Sequence, residues 1–88
     1  MIRVLLVDDQ ALFRAGIRML VSSQPDMEIV GEAGNGQEAL DAVAAHRPDV
    51  VLMDIRMPVM DGLTATGHLL AQPEPPRVVM LTTFDLDE

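Results

Sequence analysis

Three aspartates carry the chemistry this sequence can do. Asp8 and Asp9 follow directly on the apolar run Val4-Leu5-Leu6-Val7, and Asp54 closes the run Val50-Val51-Leu52-Met53. Four apolar residues between polar breaks are too few for a helix and read as a strand buried on both faces. A strand that ends on a carboxylate delivers it to the rim of a sheet, where open α/β folds bind ligands. Set side by side as parallel neighbours, the two strands bring three carboxylates together. Two of them at ~4 Å repel by roughly 4 kcal/mol at an effective dielectric of ~20, so one protonates or a cation sits among them. An all-oxygen donor set suits magnesium, which keeps several waters and accepts phosphoryl oxygens. A single acid after a strand would read as a solvated loop residue. An adjacent pair plus a third, each closing an apolar strand, reads as a site.

The elements that must position these acids follow from periodicity. Ile2 to Val7 is the first strand. Between Gln10 and Ser23, Leu12, Ala15, Met19 and Leu20 keep helical spacing, which predicts an amphipathic helix ended by Gln24-Pro25-Asp26. Met27 to Ala33 partly alternates and carries two charges, as an exposed edge strand does. Gly34-Asn35-Gly36 reads as a turn, and Gln37 to His46 as a second helix with Ala39, Leu40, Val43 and Ala44 inward, stopped before Pro48. After the strand that ends at Asp54, Pro58 and the pair Asp61-Gly62 make a turn. Leu63 to Ala71 is a short third helix, weakened by Gly67 at about 1 kcal/mol relative to Ala. Pro73-Glu74-Pro75-Pro76 is a stiff connector to Val78-Val79-Met80-Leu81, a second doubly buried strand ending at Thr82-Thr83. The order β-α-β-α-β-α-β demands right-handed crossovers and a parallel sheet.

Length and composition set bounds. At 88 residues and 49% hydrophobic content the chain is one globular unit, burying about 60–65% of its unfolded surface. With only Phe13 and Phe84 as aromatics the core is aliphatic, and seven methionines are adaptable filler. A net charge of −8 repels nucleic acid and anionic membrane, and no run approaches membrane-spanning length. The absence of cysteine suits a reducing cytoplasm. Asp85-Leu86-Asp87-Glu88 pairs an N-cap acid with Glu three positions on, a helix-start signature. The expectation is that the 88 residues are the front part of a longer domain.

Asp8-Asp9 after the first strand, Asp54 after the third, Met57-Pro58, Asp61-Gly62 and Thr82 after the fourth together resemble a response-regulator receiver domain. The opening Val-Asp-Asp-Gln-Ala-Leu-Phe-Arg-Ala-Gly-Ile, with Leu-Thr-Thr-Phe near the end, looks most like the NarL/FixJ subfamily. The resemblance implies a flavodoxin-like, doubly wound parallel sheet of order 2-1-3-4 here. The fifth strand, with its lysine, and the last two helices would lie beyond residue 88, and the sequence holds no lysine after Asp54. It also implies that Asp54 accepts a phosphoryl group from a sensor histidine kinase. Asp9, Asp54 and the backbone carbonyl of Arg56 would ligate magnesium, Asp8 would hold a metal-bound water, and Thr82 would carry the switch. The output would be a DNA-binding transcription regulator, with the effector domain absent from residues 1–88 and contact with DNA only through it.

Other readings are narrower. An enzyme resembling the haloacid dehalogenase group, a magnesium-dependent phosphatase or phosphotransferase with an Asp nucleophile, places a second Asp two residues on; here that position is Arg56. A phosphorylation-independent interaction domain tends to lose the acid cluster, and all three acids are present. Arg14 and Arg18, on the helix where related domains dock their kinase, read as a solvated face. His46 and His68 lack metal-ligand spacing, Met53, Met57 and Met60 read as packing, and Gly34-Asn35-Gly36 is a weak dinucleotide signal. Without a fifth strand beside it, Arg77 to Thr82 becomes an exposed apolar edge, and self-association or a homodimer is expected through it.

Overall fold

The computed structural model describes residues 1–81. Strands and helices alternate as β1 (Ile2–Val7), α1 (Ala11–Ser22), β2 (Met27–Ala33), α2 (Gly36–His46), β3 (Val50–Asp54), α3 (Gly62–Leu70) and β4 (Arg77–Leu81). Every strand pair is parallel and the order is β2-β1-β3-β4, the flavodoxin-like arrangement expected. Helix starts differ from expectation by one residue, and the caps explain why. Gln10 keeps extended backbone ahead of α1, while Asn35 and Asp61 accept the N–H groups of Glu38 and Thr64 and so begin α2 and α3 one position early. Asn35 is therefore a helix cap as well as part of a turn. Glu38 completes the exchange by accepting the Gly34 N–H at 2.8 Å.

Chain direction decides which face each helix covers. The step from β1 to β2 runs one way across the sheet and the later steps run the other, so right-handed crossovers put α1 opposite α2 and α3. Under α2 and α3 lies the main core: Leu5, Val7, Val51 and Met53 from the strands meet Ala39, Val43, Ala65 and Leu69 from the helices. Alternation along the strands points Val4, Leu6, Leu52 and Val79 to the α1 face. There α1 packs on β1 and β2, and Val4 and Leu6 are fully buried.

Among the described residues, cover on that face does not reach past β1. Leu52 is only half-buried and Val79 is 48% exposed, so neither β3 nor β4 is sealed on both faces as their composition predicts. β4 is an edge strand, and no described element lies over its α1-side residues. The same geometry corrects the reading of α1: Leu12, Met19 and Leu20 are exposed, Ala15 is half-buried and Val21 is the buried residue. In α2, Ala44 turns outward and Ala42 packs at the core margin instead.

Candidate functional site

Register brings the acids together. Val7 pairs with Met53 across β1 and β3, so the next residues, Asp8 and Asp54, emerge side by side at the carboxyl ends of their strands. Asp8 and Asp54 are buried, Asp9 is exposed, and one carboxylate oxygen from each lies within 4.8 Å of the others. The convergence expected from sequence is present. Backbone contacts fix it: the Asp8 N–H donates to Ala33 O at 3.0 Å, and Asp8 Oδ1 accepts the Gln10 N–H at 2.8 Å, a side-chain turn that breaks the strand.

Burial pushes the Asp54 carboxyl above its ordinary range, and the charges of Asp8 and, less strongly, Asp9 push it further. Hydrogen bonds from the N–H groups of Ile55 and Arg56 work against that rise. Burial and the two neighbouring acids together therefore disfavour the charged form of Asp54. Three clustered carboxylates with no soft ligand among them match a hard divalent cation that retains water. On donor chemistry, the residues present fit magnesium.

The β3–α3 connection is held at both ends by glycines, a role that a turn reading of Asp61-Gly62 misses. The Gly62 N–H donates to Ile55 O at 2.8 Å, and a Cβ at Gly62 would overlap the Asp54 carbonyl oxygen. At the other end the Gly36 N–H donates to Met60 O at 3.0 Å, and a Cβ there would overlap that same oxygen. Between them the Met60 N–H turns back to Pro58 O at 2.7 Å, with Val59 at φ 71° and exposed. A β-branched residue in that region costs on the order of 1–3 kcal/mol, and nothing in its side chain announces it. Asp61, exposed at the helix cap, is held below the usual carboxylate range by the Thr64 N–H.

Arg14 and Arg18 are not simply a solvated face. Arg14 Nε and Arg18 Nη1 donate to the two oxygens of Glu32 on β2, at 3.2 and 2.7 Å, and Arg14 Nη1 reaches the Asp8 carbonyl at 2.5 Å. The Arg18 hydrogen bond is the main reason that the Glu32 carboxyl sits below its ordinary range, with both guanidinium charges and the Arg14 bond adding to it. The i, i+4 spacing of the two arginines was the available sequence signal; the acid they meet lies on another element. The Arg56 side chain is exposed in the connection after Asp54. Thr82 and the helix start at Asp85-Glu88 lie outside the described residues.

A doubly wound parallel sheet with clustered acids at its switch-point rim defines a class of phosphate-handling signalling folds. The chain belongs to the response regulator receiver domain family, whose model matches residues 4–88. The receiver domain of NarL from Mycobacterium tuberculosis superposes with a TM-score of 0.89 at 38% identity, over 98% of this chain and 69% of that one. That of Thermotoga maritima CheB gives 0.89 at 41%, over 93% of this chain and 60% of that one. Among curated proteins, the transcriptional regulatory protein LiaR of Bacillus subtilis is 41% identical across all of this chain and 42% of its own length. A protein-glutamate methylesterase of Methanosarcina mazei is 44% identical over 99% of this chain and 24% of its own. The chain thus spans less than half of these curated relatives, which differ in what they do. No helix among the described residues is long and apolar enough to cross a membrane.

Proposed function

We propose that this receiver domain is a phospho-accepting switch with Asp54 as the acceptor. The observation that carries the reading is the convergence of Asp8, Asp9 and Asp54 at adjacent strand ends, with Asp54 buried beside the two other acids. The Asp54 carboxylate attacks the phosphorus of a phosphohistidine on a sensor kinase; the new O–P bond forms as the P–N bond breaks, and its electron pair returns to the imidazole. Positioning and charge neutralisation do most of the work in such a transfer. Asp9, Asp54 and the Arg56 carbonyl would hold magnesium directly, with Asp8 acting through water. The cation would supply positive charge against the acids and the phosphoryl oxygens. The product adds about one negative charge and three strong acceptors at the rim. Thr82 would follow that change and pass it to the output.

The LiaR and NarL likenesses support a cytoplasmic transcription regulator whose DNA contacts lie in an effector domain. The methylesterase activity named for other relatives belongs to chains four times longer than the matched part, and position 56 here offers arginine where an acid would be needed for phosphatase turnover.

The test uses a regulator carrying this domain, an acyl-phosphate donor and magnesium. Asp54→Asn should abolish phosphoryl incorporation and Asp61→Asn should not; full labelling of Asp54→Asn would remove the assignment. Magnesium affinity should fall further in Asp9→Asn than in Asp8→Asn, because a direct ligand loses its bond outright. Thr82→Ala should still label yet respond weakly in dimerisation or DNA binding; the same loss in Thr83→Ala instead would move the switch by one residue.

A further inference from the structure

We infer that Arg14 is a positioning residue for the Asp8–Asp9 segment, and through it for cation binding at the acidic site. The inference rests on the metal-binding reading above. Arg14 links two elements: one nitrogen bonds the Asp8 carbonyl at 2.5 Å and another bonds Glu32 Oε1 at 3.2 Å. Glu32 is itself steadied by Arg18 on its second oxygen at 2.7 Å, so the guanidinium has a fixed anchor on β2. The Asp8 N–H is tied to Ala33 O, and its side chain to the Gln10 N–H. Its carbonyl belongs to the Asp8–Asp9 peptide, and the hydrogen bond from Arg14 sets the plane of that peptide. That plane aims the exposed Asp9 side chain, which has no burial of its own to hold it over the site.

The geometry needs arginine in particular. A planar guanidinium presents donors in a rigid fork and can bridge carbonyl and carboxylate together; a lysine ammonium is a single point on a flexible stem. A competing account is purely electrostatic, with Arg14 as a nearby positive charge, and the two accounts predict opposite signs. Deleting a cation beside three acids should tighten cation binding through space, whereas deleting a positioning bond should weaken it.

Magnesium titration calorimetry and amide exchange by NMR on the wild-type chain, Arg14→Ala and Arg14→Lys separate them. Arg14→Ala should raise the magnesium dissociation constant about 10-fold, the scale for losing a supporting partner. Arg14→Lys, which keeps the charge, should weaken binding in the same direction. In cation-free protein the Gln10 amide should exchange faster in both variants. Tighter binding in Arg14→Ala with unchanged binding in Arg14→Lys would overturn the inference and leave a charge effect. A wild-type chain that binds no magnesium would remove the metal reading itself; the Gln10 amide then decides alone, with unchanged exchange in Arg14→Ala overturning the positioning role.

Discussion

Under α2 and α3, Leu5, Val7, Val51 and Met53 are sealed by helix side chains, and the same two helices begin at the glycines that hold the β3–α3 connection. On the opposite face α1 seals Val4 and Leu6 but leaves Val79 48% exposed, with Leu12, Met19 and Leu20 in solvent. The acids emerge at the rim that both faces share. The α2–α3 core takes in both β1 and β3, the strands that end at Asp8 and Asp54, while Asp8 is also tied by polar contacts to Ala33, Gln10 and Arg14 on the other elements.

The comparison breaks most readily at Leu69, fully buried under α3. Leu69→Ala should cost about 3 kcal/mol, read from urea unfolding, as for other buried leucines. A loss below about 1 kcal/mol would mean that the α2–α3 face is not the stronger one.

Next comes Asp54 itself. In cation-free buffer at neutral pH, Asp54→Asn should raise stability by roughly 1–2 kcal/mol, because it removes repulsion from two acids within 4.8 Å. The sign with pH follows from linkage. Since the folded-state pKa of Asp54 is raised, the native protein binds a proton that the unfolded chain does not between the ordinary and raised values. The Asp54 contribution to stability therefore rises as pH falls through that window. Glu32, lowered by its arginines, contributes stability above its ordinary pKa and loses it as pH falls through its folded value. Asp54→Asn should abolish the first trend and keep the second, measured as melting temperature against pH. A variant no more stable than wild type would mean that the repulsion is already relieved.

Association offers a sharper view of the open face. Taken alone, residues 1–88 have β4 as the outer strand of the described sheet, so this piece should self-associate in sedimentation runs as concentration rises, and Val79→Lys should shift it toward monomer, since a charge on an exposed edge strand opposes pairing. Identical sedimentation of the two would show that β4 is not the contact. The smallest effect belongs to Leu12, 87% exposed: Leu12→Ala should change stability by less than about 0.5 kcal/mol. A larger loss would mean that the outer side of α1 is covered in solution.

Strands and acids were legible because their signals are local. Val4–Val7 and Val50–Met53 are short apolar runs, each ending on carboxylates, and the charges of β2 marked it as an edge. Thr82, which completes the proposed switch, rests on the resemblance alone. What periodicity cannot state is whether a partner lies opposite an apolar stripe, and so Leu12, Met19 and Leu20 point outward. Composition likewise made β4 look buried on both faces, whereas Val79 is 48% exposed; its place at the edge of the described sheet was expected. Arg14 and Glu32 are 18 positions apart, and their pairing appears only once α1 folds against β2. Val59 gave no warning either, since its side chain argues against the backbone it adopts.

The segment from Ile55 to Met60 is fastened to the end of β3 through Gly62 and to the start of α2 through Gly36. It therefore acts as a ruler. Substitution at its outward tip, Val59, leaves both fastenings in place, but one residue more or fewer would put Gly36 and Gly62 out of step with their carbonyls. The exposed connection 71–75 has no such double fastening and can absorb changes in length. Between relatives, insertions and deletions should gather after α3 and stay out of the loop after Asp54, however freely the residue at its tip varies.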